Sequence, residues 1–75
     1  MSEQGCAVIL VQRTSHAIRA EVVLHQAGIR AKLIPVPRHL SSDCGVCLRV
    51  TRTEANTARQ VLEKHQIEIE SIHEI

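Results

Sequence analysis

The absence of aromatic residues is the feature that most constrains how this chain can fold. None of its 75 residues is Phe, Trp or Tyr, although hydrophobic residues make up 44% of the sequence. A core must then be built from Val, Ile, Leu and Ala, whose small volumes require many close contacts. A chain of this length buries only about 60% of its unfolded surface, which favours one small domain over residues 1–75 and makes a homodimer a reasonable expectation.

Composition and charge exclude several functional classes. The formal net charge is +1, and the chain has no aromatic rings on which nucleic-acid bases could stack, so nucleic acid is not an expected partner. No apolar run approaches the roughly 20 residues that a membrane-spanning helix needs. Residues 1–5 do not resemble a signal peptide, so we expect a cytoplasmic protein whose three cysteines are reduced thiols.

The beginning of the sequence predicts a buried strand followed by a helix. Residues 6–11 are a continuous apolar run rich in β-branched side chains, which is typical of a strand buried on both faces. Thr14 or Ser15 is a candidate N-cap for a helix that ends near Ala27. Gly28 then stands at the position where a left-handed glycine commonly ends a helix.

Two further strands are predicted in the middle of the chain. Residues 29–36 form an extended segment, and we place it at an edge of the sheet because Pro35 and Pro37 cannot donate ladder hydrogen bonds. Residues 45–51 alternate with a period of two, as expected for a strand. Their inward positions are Val46, Leu48 and Val50, and their outward positions are Cys47, Arg49 and Thr51.

The last third predicts a second helix and a final strand. Thr53 is a candidate N-cap for a helix ending near His65, and Ile67 and Ile69 predict a strand that residues 71–75 would interrupt. The resulting order, βαββαβ, predicts an α+β ferredoxin-like sandwich, with a four-stranded antiparallel sheet and two helices on one face. Right-handed crossovers place the first strand beside the third.

Cys44 is the residue for which this topology suggests chemistry. An antiparallel third strand begins where the first strand ends, so Cys44 is expected near residues 13–16, at the N-terminus of the first helix. Backbone N–H groups and the positive end of the helix dipole favour an anion there, and a thiolate is such an anion. Arg13 or His16 would add to this effect, and Gly45 leaves room for a partner to approach.

Cys44 and Cys47 form a C-x-x-C motif, a spacing found in redox pairs and in zinc sites. A disulfide would require a turn or bulge at Gly45, because positions i and i+3 of a strand point to opposite faces. A zinc site would lack ligands, since one chain offers these two thiols and His39 unless a dimer shares four thiolates. We therefore assign no metal. Cys6, which opens the first strand, is expected to be a small buried residue.

Several segments of the chain resemble one known family. They are Thr14-Ser15-His16, Ala27-Gly28-Ile29, Leu33-Ile34-Pro35-Val36-Pro37-Arg38, Leu40-Ser41-Ser42, Cys44-Gly45 and Leu48-Arg49. The sequence from about residue 7 to residue 75 thus resembles the Putative Se/S carrier protein-like family, most specifically between residues 34 and 49. Members of this family are small stand-alone or appended domains.

The resemblance implies a carrier of sulfur or selenium. Cys44 corresponds to the family's cysteine and would hold the transferred atom as a persulfide or selenopersulfide. The residues implied to surround it are Thr14, Ser15, His16, Ser41 and Ser42. The implied partners are a cysteine desulfurase-like donor protein and an acceptor protein, and no cofactor is implied.

Two residues depart from the family's pattern. Asp43 stands where a small residue is usual, and a carboxylate facing the sulfur would raise the pKa of the Cys44 thiol. Cys47 occupies a position often filled by Ala and could resolve a Cys44 persulfide.

Arg38 and Arg49 are candidate contacts for an anionic substrate or an acidic partner.

Two other functions remain open at this point. Cys44 and Cys47 could cycle between dithiol and disulfide as a redox module. Alternatively, the domain could be a non-catalytic binding or dimerisation module in which the cysteines have no role.

Overall fold

The strands form one antiparallel sheet in which the first strand lies in the interior. The computed structural model describes residues 5–40 and 45–75. Its elements are β1 (Cys6–Leu10), α1 (Thr14–Gln26), β2 (Lys32–Pro35), β3 (Val46–Thr51), α2 (Arg52–Lys64) and β4 (Ser71–Glu74). The strand order is β2-β3-β1-β4, and every neighbouring pair is antiparallel. The predicted α+β ferredoxin-like fold is confirmed, as is the edge position of the proline-containing β2.

Both helices pack on the same face of the sheet through alanines. Ala17 and Ala20 of α1 and Ala58 of α2 are fully buried in the main core. Because an alanine side chain is a single methyl group, each helix can approach the sheet closely, which meets the packing demand of a chain without aromatic rings. The other buried members of this core are Ala7, Ile9, Val11, Val23, Leu24, Ile29, Ala31, Leu48, Val50, Leu62 and Ile67.

The second face of the sheet, which the helices leave uncovered, is partly covered by the chain after β2. Val8, Leu10 and Cys47 form a small buried cluster on this face. The partly buried side chains packed against it are Ile34, Val36 and Leu40. A hydrogen bond from the Leu40 N–H to the Pro37 carbonyl (3.0 Å) turns this segment back over the sheet. This cover was not predicted from the sequence, although the apolar residues Val36 and Leu40 were a signal for it.

Both helices end in the same hydrogen-bonded turn. In α1, Gly28 has a left-handed φ of 82°, and the Ile29 N–H donates to the Leu24 carbonyl at 2.9 Å. In α2, Gln66 takes the equivalent position with a φ of 61°, and the Ile67 N–H donates to the Leu62 carbonyl at 2.9 Å. These bonds define the Schellman motif, in which an apolar residue after the turn packs back on the helix. Ile29 and Ile67 are accordingly buried.

The predicted position of the last strand is wrong. The pairing with β1 begins at Ser71, opposite Leu10, instead of near Ile67. Ile67 is buried because the left-handed turn at Gln66 folds it under α2. The Glu70 N–H then donates to the Leu10 carbonyl at 2.7 Å and directs the chain into β4.

The predicted N-caps of both helices are also wrong. The N-cap of α2 is Thr51, and Thr53 lies inside the helix, because β3 continues directly into α2 without a connecting loop. The Thr51 hydroxyl donates to the Glu54 carboxylate at 3.2 Å. The N-cap of α1 is Arg13, and Thr14 is already the first helical residue.

The two helix ends offer a matched test of backbone strain. We expect Gly28→Ala to lower the free energy of unfolding by roughly 1 kcal/mol, because a left-handed φ costs a residue with a Cβ about that much. Space is not the cause, since a Cβ at Gly28 would meet no atom within 4 Å. Gln66→Gly should raise the free energy of unfolding by a similar amount, as measured by urea denaturation.

Gln26→Ala, an exposed change within α1, serves as the control and should have a smaller effect than either cap substitution. Equal stability of the wild type and Gln66→Gly would show that Gln66 is not strained in this turn.

Candidate functional site

Three parts of the chain meet at one end of the sheet. Leu10 at the end of β1 lies opposite Cys47 near the start of β3. Residues 11–13 connect β1 to the first turn of α1, so that turn lies at the same end. We call this region, made of residues 11–16 and 45–46, the α1 end of the sheet. The predicted antiparallel pairing that brings the first helix beside the start of the third strand is therefore confirmed.

Cys44 itself lies outside the described residues, as do Ser41, Ser42 and Asp43. The residue joined to it, Gly45, has a left-handed φ of 79°, and a Cβ there would meet no atom of residues 5–40 or 47–75 within 4 Å. None of these described residues crowds Gly45. Its carbonyl accepts a hydrogen bond from the Val36 N–H at 3.1 Å, which fixes the start of β3 against the chain leaving β2.

The N-terminus of α1 is suited to a negative charge. Its N-cap, Arg13, has an extended backbone and makes no side-chain capping hydrogen bond, and the first turn contains no acidic residue. The hydrogen bond from the Ala17 N–H to the Arg13 carbonyl (3.2 Å) begins the helix. Arg13, Thr14 and Ser15 are exposed. Because the N-terminal end of a helix carries partial positive charge, an anion near this turn is stabilised.

His16 is the half-buried member of this turn. Its Nδ1 atom is buried and has no hydrogen-bond partner among the described residues. A buried polar nitrogen without a partner costs free energy. An imidazole placed in this way is available to hydrogen-bond a group that enters the α1 end.

The structure separates the two predicted arginine contacts. Arg38 and His39 are exposed in the turn that follows β2. The last residue of β2, Pro35, pairs with the first residue of β3, Val46, so this turn begins at the end of the sheet where β3 starts. Arg49 lies on the second face of the sheet, opposite Lys32 and Val8, towards the other end of β3. Arg49 is therefore not part of the α1 end.

Cys47 is fully buried, unlike the outward position predicted for it on an open face. It points to the second face as predicted, but there it packs with Val8 and Leu10. Its thiol also donates a weak hydrogen bond to the Pro35 carbonyl, with Sγ 3.9 Å from the oxygen. The prediction for Cys6 is wrong in the opposite sense, since Cys6 is only half-buried at the outer end of β1.

The described residues contain neither a group of side chains suited to a metal ion nor a helix suited to span a membrane. Within residues 5–40 and 45–75, no three His, Cys, Asp or Glu side chains lie close enough together to hold a metal ion. In that same part of the chain, neither helix is long and apolar enough to cross a lipid bilayer.

The burial of Cys47 leads to a labelling prediction. In the native protein, we expect iodoacetamide to modify Cys6 faster than Cys47, because a buried thiol reacts only when the sheet opens. Peptide mapping after a time course would measure both rates. Labelling in urea, where both thiols should react at similar rates, is the control. Equal rates in the native protein would contradict the burial of Cys47.

Comparison with known proteins identifies a family for this chain. A family model described as "Putative Se/S carrier protein-like" matches residues 6–74. Searches of curated proteins and of solved structures found no match to this chain. The matched range spans all six secondary-structure elements and the connection that contains Cys44. The resemblance found in the sequence is thereby confirmed, and the chain belongs to the Putative Se/S carrier protein-like family.

Proposed function

We propose that this protein carries sulfur or selenium on Cys44 and transfers it between two partner proteins. The observation that carries the proposal is the family match over residues 6–74, combined with the positions of the other two cysteines. Cys47 is fully buried, and Cys6 lies opposite Thr51 at the far end of the sheet. We therefore assign the carrier role to the remaining cysteine, Cys44, whose neighbour Gly45 is not crowded by any of the described residues.

The transfer needs neither a cofactor nor an added oxidant. The Cys44 thiolate attacks the outer sulfur of a persulfide on the donor, a desulfurase-like protein. A sulfur–sulfur bond to Cys44 forms while the bond in the donor breaks, and the donor cysteine leaves as a thiolate. An acceptor thiolate then removes the outer sulfur in the same way, which restores the Cys44 thiolate. With selenium as the outer atom, the same bonds form and break.

The α1 end supports the charge that this reaction requires. Both the attacking thiolate and the persulfide anion are negative, and the first turn of α1, which contains no acidic residue, offers partial positive charge beside the start of β3. Thr14, Ser15 and His16 are the described residues that we assign to this environment, together with Ser41 and Ser42 from the connection. Asp43 opposes the effect if it faces the sulfur.

The burial of Cys47 counts against the dithiol alternative. Its sulfur is closed to solvent and packs with Val8 and Leu10. Cys47 is also paired on both sides, with Leu10 of β1 and Ile34 of β2, so its backbone is held within the sheet. A resolving thiol of this kind would be slow, whereas a carrier needs only Cys44.

Intact mass spectrometry tests the carrier function. After incubation with a cysteine desulfurase and cysteine, the wild type should gain one sulfur atom that a reductant removes. Cys44→Ser should gain none, because it lacks the attacking thiolate. Cys47→Ala and Cys6→Ser are the matched controls, and both should still take up sulfur.

Three results would count against this function. Sulfur uptake by Cys44→Ser that matches the wild type would place the carrier thiol elsewhere. A loss of two protons under mild oxidation that requires both Cys44 and Cys47, without sulfur uptake, would support the redox module. If neither reaction occurs, the domain is a binding or dimerisation module.

The role of the α1 end is tested by charge reversal at Arg13. Arg13→Glu should slow sulfur uptake at neutral pH, because a carboxylate at the N-cap disfavours a nearby thiolate. The difference from the wild type should shrink at a pH well above about 8.5, where a cysteine thiol is largely ionised in either protein. The rates of sulfur uptake are obtained at each pH by quenching the reaction at set times and measuring the fraction of loaded protein by mass spectrometry.

Arg19→Glu is the matched control for net charge, since Arg19 is exposed on α1 beyond its first turn. If Arg13→Glu and Arg19→Glu slow uptake equally at every pH, the local field of the α1 end is not involved.

A further inference from the structure

A notch lies at the opposite end of the sheet from α1's first turn. The pairing of β2 with β3 begins at Lys32 and Arg49, so no residue of β2 lies opposite Val50 or Thr51. On its other side, β3 stays paired with β1 as far as Thr51. The missing length of β2 leaves an open cleft of about 490 Å³, which we call the β3 notch.

Three of the nine residues that line the β3 notch are arginine or lysine. Arg30, Lys32 and Arg49 all line it and are exposed, and the acidic residue in its lining is Glu21. The ion pairs among the described residues are Arg52–Glu74 and Arg59–Glu63, so none of the three cations is neutralised by a described carboxylate. The notch therefore presents unbalanced positive charge.

Two of these cations are held face to face. Lys32 and Arg49 are directly opposite each other on neighbouring antiparallel strands, and like charges in this arrangement destabilise a sheet. An edge lysine discourages pairing with another sheet, which accounts for Lys32. It does not account for Arg49, which lies on an interior strand, or for Arg30. A negatively charged ligand that bridges all three accounts for the whole set.

The shape of the notch favours an extended peptide as this ligand. Ala31 and Val50, both almost fully buried, form the apolar base of the notch, and beyond Arg49 β3 has no ladder partner in β2 with which its backbone could pair. Acidic residues of this chain collect at the opposite edge of the sheet, around β4. Among them are Glu68, Glu70 and Glu74. This separation of charge would orient an acidic partner towards the β2 side.

We propose that the β3 notch docks an acidic, extended segment of a protein with which the carrier exchanges sulfur or selenium. This inference rests on the carrier function proposed above. Cys6 and Leu10 mark the two ends of β1 and are four residues apart, which is roughly 14 Å of strand. A segment bound at the notch therefore does not itself cover the α1 end.

Peptide titration followed by amide NMR of the full chain tests the proposal. The probe is a short peptide of alternating Glu and Val with both ends blocked, added at low salt. The expected shifts fall in residues 30–32 and 49–51. Lys32→Glu and Arg49→Glu should each weaken binding by about tenfold or more. Because each change places opposite charges across the two strands, neither should lower the Tm, so weaker binding is not a result of unfolding.

Arg19→Glu is the matched control, with the same change in net charge outside the notch, and it should bind the peptide as the wild type does. If Arg19→Glu weakened peptide binding as much as Lys32→Glu and Arg49→Glu do, the proposal would be overturned. Inorganic phosphate that produces the same shifts and competes equally would instead identify a small-anion site. Shifts that depend on protein concentration without peptide, with a dimer in sedimentation, would identify a second copy of this chain as the occupant.

A separate reaction distinguishes failure of docking from failure of the carrier function. Sulfur uptake by the wild type from a low-molecular-weight polysulfide needs no docked partner. Uptake on Cys44 without peptide binding at the notch would overturn the docking proposal alone. Peptide binding without uptake would overturn the carrier function and remove the assigned partner.

Discussion

The close contact between alanine-faced helices and the two interior strands is the interaction on which the rest of this structure depends. Without aromatic side chains, no single residue can fill a wide gap between the layers. Ala17, Ala20 and Ala58 allow the helices to approach the sheet, and small branched or aliphatic side chains then fill the remaining space. The helices and the sheet are thereby kept close together. For the same reason, substitutions that change the volume of a core side chain should be poorly tolerated.

This packing produces a sheet with two chemically different ends. Where β1 ends and β3 begins, the first turn of α1 provides a positive helix end beside the chain that leads to Cys44. At the other end, the short β2 leaves a notch whose lining includes three cations. A carrier needs both a reactive group and a surface that partners recognise. The proposed carrier site and the proposed docking surface lie at these opposite ends.

The second face of the sheet determines the burial of Cys47. The chain from Val36 to Leu40 folds over Cys47 and removes it from solvent, although its outward position in β3 follows from simple alternation. A strand pattern predicts the face on which a side chain lies. It does not predict whether another segment covers that face, because the cover comes from residues outside the strand.

Much of the fold could be predicted from local features. The alternation in β3 and the apolar run of β1 predicted their positions, since these patterns follow from the geometry of a single strand. Gly28 predicted the end of α1, because a left-handed turn favours glycine. The equivalent turn at Gln66 has no such signal, and for this reason Ile67 was taken for the start of a strand that begins at Ser71.

The sequence alone determined the order of the elements, the edge position of β2 and the family, because these depend on periodicity, on prolines that cannot donate hydrogen bonds, and on residue identity along the chain. Only the tertiary structure decided the burial of Cys47, the start of β4, and the meeting of Lys32 with Arg49. Each of these depends on which distant segments become neighbours. The packing of the whole chain decides which segments become neighbours, and the local preferences of single segments do not predict this.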